Sequence, residues 1–76
     1  MGDGKSMGSP VSNEAYNVIA ALHTKLEGLE AYRKYQQDGG QVWEQLSSQD
    51  IQAVDLLLGQ LERLVNAGQL RSGATG

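Results

Sequence analysis

Cysteine is absent from this chain of 76 residues. That excludes disulfides, thiolate metal sites and cysteine nucleophiles, and it leaves a small scaffold without a covalent staple. Cations are sparse. Lys and Arg total six, and Lys5, Lys25, Arg33, Lys34, Arg63 and Arg71 are scattered along the chain. The net charge is −3 and the pI is about 4.8. With neither a basic stripe nor a basic arm, no nucleic-acid partner and no anionic membrane surface is expected. Apolar runs reach only a few residues, far short of a membrane-spanning helix. No apolar stretch follows Lys5, so a signal-peptide pattern is missing and a cytoplasmic location is expected.

What is present is helical. Residues 1–10, MGDGKSMGSP, are rich in Gly and Ser and read as a flexible tail. Gly4-Lys5-Ser6 matches the end of a phosphate-binding loop, but the earlier glycine and the preceding strand of that motif are missing, so no nucleotide site is expected. At Val11 the pattern changes. Ser12 is a good N-cap, Glu14 lies in the first turn, and Val11 and Tyr16 hold the two positions of a hydrophobic staple. Ala15, Ile19, Leu22, Leu26 and Leu29 then recur three or four residues apart, as one face of a helix does. Asp38-Gly39-Gly40 stops the run.

Val42, Trp43 and Leu46 fit one side of a short helix in the connection. Ser47 and Asp50 form a variant capping box, with Leu46 and Ile51 at the staple positions, and predict the start of a second long helix. That helix carries Ile51, Val54, Leu58, Leu61 and Val65, with Leu57 and Leu64 widening the stripe on one side. Gly68 ends it. Residues 71–76 read as a second loose tail. The expected architecture is all-α: residues 11–70 form a hairpin of two long helices with a short connecting helix.

A core this small rarely supplies more than about 3–5 kcal/mol. Projected at about 100° per residue, the first stripe is about 100° wide and the second about 140°. One partner helix covers a narrow seam but not both edges of a wide one. A homodimer of hairpins, making a four-helix bundle, would cover the surplus. Ile51, Val54, Leu57, Leu58, Leu61, Leu64 and Val65 are the expected interface, with Leu57 and Leu64 at its uncovered edge. Tyr32, Tyr35 and Trp43 gather near the connection, either as end-packing of the bundle or as a contact for a further protein partner, where Tyr and Trp concentrate.

His23, the sole histidine, stands four residues before Glu27 and seven before Glu30. Imidazole and carboxylate on one helix flank suit zinc, iron or manganese. The plainer reading is a solvated flank with a Glu30–Lys34 ion pair. Ser47 and Ser48 are explained by capping, and one histidine without a pocket is weak support for general-base chemistry, so no enzyme is expected.

Residues 16–38, YNVIAALHTKLEGLEAYRKYQQD, resemble the opening helix of small bacterial ferritin-like proteins, which share Tyr-Asn, an aliphatic run, a His-containing turn and a Tyr-rich end closing on Asp. The resemblance covers about a third of the chain. It implies a four-helix bundle. The di-metal members carry Glu-x-x-His, whereas Ala20 stands three residues before His23 here, so the resemblance does not carry their metal chemistry across. The favoured expectation is a non-catalytic interaction or dimerisation module without a cofactor. A metal-binding bundle using His23, Glu27 and Glu30, and an acidic regulator or inhibitor of a larger partner, are the alternatives.

Overall fold

The computed structural model describes residues 10–73. Residues 1–9, which include Gly4-Lys5-Ser6 and most of the expected N-terminal tail, and residues 74–76 lie outside that description. Two α-helices make up the rest, α1 (Asn13–Gln36) and α2 (Val42–Asn66), packed against each other as a hairpin.

Helix α1 starts where its cap dictates. The Ser12 hydroxyl accepts a 3.0 Å hydrogen bond from the Ala15 amide and satisfies one of the orphan donors of the first turn. Arg33 and Lys34 in the last turn suit its negative end. Gly39 and Gly40, at φ 99° and 113°, then carry the chain through a left-handed stretch that other residues enter at a cost.

The expected short connecting helix does not exist as a separate element. Helix α2 runs unbroken from Val42, and Ser47 lies inside it rather than at a cap. No Gly or Pro stands between Gly40 and Gly59 to interrupt the backbone. Extending a helix by one residue is easier than nucleating a second one, so continuation wins over the local capping signal. At the far end the Gln69 amide donates to Leu64 O at 2.7 Å and the Gly68 amide to Val65 O at 3.0 Å, with Gly68 at φ 71°. That is the Schellman arrangement expected of Gly68.

Part of the chain expected to be loose is tied down. Pro10–Ser12 and Leu70–Ser72 pair antiparallel through Val11 and Arg71. The Ser12 amide donates to Leu70 O and the Ser72 amide to Pro10 O, both at 2.9 Å. The Ser12 hydroxyl also donates to Gln69 O at 2.8 Å, so one side chain caps α1 and holds the end of α2.

Three kinds of contact succeed one another between the helices. Near the paired chain ends Ala15, Val18 and Leu64 are buried, with Val11, Leu57, Leu61 and Leu70 packed around them. In the middle Lys25 Nζ lies 3.5 Å from Asp50 Oδ1. Next to the connection Trp43 stacks on Tyr32, with ring centroids 5.7 Å apart, and meets Tyr35 at 5.0 Å in a tilted arrangement. Such aromatic pairs add to the burial of their rings.

The hairpin is a single layer. Its backbone extends 50 by 24 by 13 Å. The radius of gyration is 16.0 Å, against about 11 Å for a compact domain of this length. A domain usually buries its apolar surface between two packed layers, and the described residues form only one.

Candidate protein-interaction face

The residues facing the other helix recur every seven positions: Val18, Lys25 and Tyr32 on α1, and Trp43, Asp50, Leu57 and Leu64 on α2. A seven-residue repeat keeps one seam in register between two helices. Either side of that seam is then a defined face of the hairpin.

Glu14 and Gln60 mark one face, since Gln60 Nε2 donates to Glu14 Oε2 at 3.0 Å across the helices. The same side carries Ala21, Gly28 and Tyr35 on α1 and Val42, Gln49, Ala53, Leu56 and Arg63 on α2. Val42, at 49%, and Leu56, at 74%, are the large aliphatics exposed there, fourteen residues apart along α2. Apolar residues exposed singly and this far apart are ordinary on a protein surface.

The opposite face is different. On α1 its inner row is Ala15, Leu22 and Leu29, and its outer row is Ile19, Leu26 and Arg33. On α2 the inner row is Ser47, Val54 and Leu61, and the outer row is Glu44, Ile51, Leu58 and Val65. Ile19, Leu26, Ile51, Leu58 and Val65 are each between 42% and 58% exposed. Aliphatic side chains therefore run along both helices on one side of the layer, with shallow hollows at Leu58–Leu61–Val65 and at Leu26–Leu29. Contiguous exposed apolar surface rimmed by charge is the usual mark of a contact site.

This placement reverses part of the sequence reading. Ile51, Val54, Leu58, Leu61 and Val65 do line up on one side of α2, but their outer members point away from α1. Leu57 and Leu64, expected at an uncovered edge, sit in the seam; Leu64 is 3% exposed within a single chain, and Leu57 is half-buried against the core. On α1 Ile19 and Leu26 also turn outward, and the charged Lys25 takes a place in the seam. The physical reason is the partner of each seam position. Asp50 receives Lys25, Trp43 receives Tyr32, and Leu64 meets Ala15 and Val18. Those matches fix the helix rotation more firmly than a count of aliphatics does.

The remaining candidate residues are placed as follows. His23 Nδ1 lies 3.8 Å from Glu27 Oε1, both well exposed. Glu30 Oε2 turns to Arg33 Nη2 at 3.7 Å, not to Lys34. Among the described residues no three His, Asp or Glu side chains converge in a way that would hold a metal ion, so His23, Glu27 and Glu30 are not gathered. Tyr16, expected in a staple with Val11, is 62% exposed, while Val11 packs on the core. Tyr32 and Trp43 are half-buried and close the hairpin end, and Tyr35 is nearly half exposed. No described helix is long and apolar enough to cross a membrane. The chain matches no family model, no curated protein and no solved structure. The surface itself therefore carries the functional reading.

Proposed function

We propose that this chain is a small non-catalytic interaction and dimerisation module, acting in the cytoplasm, whose exposed aliphatic face is completed by a second pair of helices into a four-helix bundle. One observation carries the reading: Ile19, Leu26, Ile51, Leu58 and Val65 share one side of a layer that is one helix thick. Helices of 24 and 25 residues extend about 36 Å at 1.5 Å per residue, and two side by side are about 20 Å wide. Covering that face would bury about 700 Å² per partner, near the size of a standard specific interface. The same bundle is what the resemblance of residues 16–38 implies.

Site-specific photo-crosslinking in the native host tests the reading. A crosslinking residue at position 58 should trap a protein, and one at position 56, on the opposite face, should not. Equal trapping from both positions, or none from 58, would overturn it.

A further inference from the structure

We infer that the occupant of this face is a second copy of the chain, related by a twofold axis parallel to the helices, so that α1 of each copy lies on α2 of the other. This rests on the interaction-module reading above and names its partner. The argument begins with levels along the hairpin. Tyr32 beside Trp43, Lys25 beside Asp50 and Glu14 beside Gln60 fix which residues of α1 stand at the height of which residues of α2. By those heights Ile19 is level with Leu58, Leu26 with Ile51 and Arg33 with Glu44, each within about two residues, or about 3 Å.

A twofold axis along the hairpin preserves height and exchanges the helices. The outer row of α1 is then laid on the outer row of α2 in the partner copy. Ile19 meets the partner's Leu58, Leu26 meets the partner's Ile51, and Arg33 meets the partner's Glu44. Aliphatic lies on aliphatic, and the single cation of one row lies on the single anion of the other. At the outer flank Asp55 of one copy stands within about three residues, or about 4.5 Å, of the height of His23 of the other. Every adjacent pair of helices in the resulting bundle is antiparallel, as short-loop bundles require.

The competing arrangement has its axis across the helices and lays each helix on its own copy in reverse. Glu44 then meets Leu58 or Val65 of the partner, Arg33 meets Ile19 or overhangs the end, and Asp55 approaches its own copy. Charges pressed on aliphatics are desolvated without a partner, and like charges repel. A twofold interface must be self-complementary, and the row pattern satisfies that requirement in one orientation only. The same self-complementarity favours a second copy over an unrelated partner. The area estimated above is enough for a stable dimer of standard size.

Disulfide trapping tests the inference, and the native chain has no cysteine to interfere. R33C and E44C chains are prepared separately, each exposed and outside the seam, then mixed under mild oxidation. A covalent dimer is expected from the mixture but not from R33C alone, whose two thiols would lie diagonally across the bundle, beyond the Cα separation of about 7 Å that a disulfide tolerates. In parallel, R33E and E44R should each weaken self-association by about tenfold at low salt, and the double variant R33E/E44R should return to within about threefold of the native chain. Covalent dimers from R33C alone, none from the mixture, or no restoration by the double variant would overturn the arrangement. A native chain that sediments as a monomer at high micromolar concentration, while position 58 still crosslinks to another protein, would overturn the second copy and leave the interaction module standing. A monomer with no crosslink from position 58 would remove both.

Discussion

Leu64→Ala and Leu58→Ala remove the same atoms from the same helix, and the structure predicts very different costs. Leu64 is 3% exposed and contributes the largest buried side chain of the core, against Ala15 and Val18. Leucine-to-alanine changes at buried sites cost about 2–5 kcal/mol. The side chains of Val11 and Leu70 pack around the site and can fill part of the space, so about 3 kcal/mol is expected. In a hairpin whose core gives about 3–5 kcal/mol, that removes most of the stability. Leu58 is 43% exposed in the single chain. Truncating it there forfeits only part of a leucine's transfer free energy, about 0.5–1 kcal/mol, and helix propensity hardly changes. In a dimer the same side chain is covered, and its truncation costs about 2–3 kcal/mol per copy. Urea unfolding followed by far-ultraviolet circular dichroism, at low and at high micromolar protein, separates the cases. Leu64→Ala should be severe at both concentrations. Leu58→Ala should be mild when dilute and severe when concentrated. If Leu58→Ala is as damaging as Leu64→Ala at the lower concentration, Leu58 is in the seam and the assignment of faces is wrong.

Three further outcomes follow from the same contacts. Ser12→Ala removes a hydroxyl that caps α1 and holds Gln69, and should cost about 0.5–2 kcal/mol; faster hydrogen exchange at the Ala15 and Ser12 amides would report it, and unchanged exchange would contradict the double role. Asp50→Ala leaves the half-buried Lys25 without its partner and should lower the unfolding midpoint by an amount equivalent to about 1 kcal/mol, whereas Lys25→Met with Asp50→Leu should hold or raise it, because breaking such a pair hurts more than replacing both members. Gly68→Ala should cost about 1–2 kcal/mol from backbone strain alone, since Gly68 has φ 71° and an added Cβ would meet nothing within 4 Å; a thermal melt unchanged by this substitution would contradict the left-handed cap.

The punctuation of the fold was legible in the sequence, and its rotation was not. Ser12, the Asp38-Gly39-Gly40 stop and Gly68 act through their own backbone and nearest neighbours, so each could be read locally and each sits where its chemistry requires. Ser47 shows the limit of that logic: its capping signal is real, but helix already flanks it on the N-terminal side, and a cap has no open terminus to satisfy. The facing residues depend on the other helix. Asp50 looked like part of a capping box until Lys25 was opposite it. Lys25 stood in the sequence only as one of six scattered cations. A projection at 3.6 residues per turn also drifts about 20° per heptad from a seam that repeats every seven. Over the length of α1 that drift pulls Leu26 toward the apparent centre and Tyr32 away from it. The spacing of Ile19, Leu26 and Arg33, and of Glu44, Ile51, Leu58 and Val65, was the available signal for the outer rows. It becomes visible once the period is taken as seven and the charged members are kept in the row.

The distribution of polarity across the hairpin explains why a second layer matters to this chain. Its own seam holds an ion pair at the midpoint, between an apolar end and an aromatic end. An ion pair there adds little net stability, but it disfavours a register in which either charge would face an aliphatic residue. The seam therefore fixes how the two helices align and supplies only part of what holds them together. The aliphatics that would strengthen an isolated hairpin lie instead on the outer rows, where no other described residue covers them. A chain built to stand alone would bury Ile19, Leu26, Ile51 and Leu58 first and leave the charge outside. Here the alignment is set within the chain and the apolar surface is presented outward, with Arg33 and Glu44 at matching heights on its rim. That division suits a half-bundle completed by association, and under the proposed dimer the stability of the hairpin would rise with the concentration of the chain.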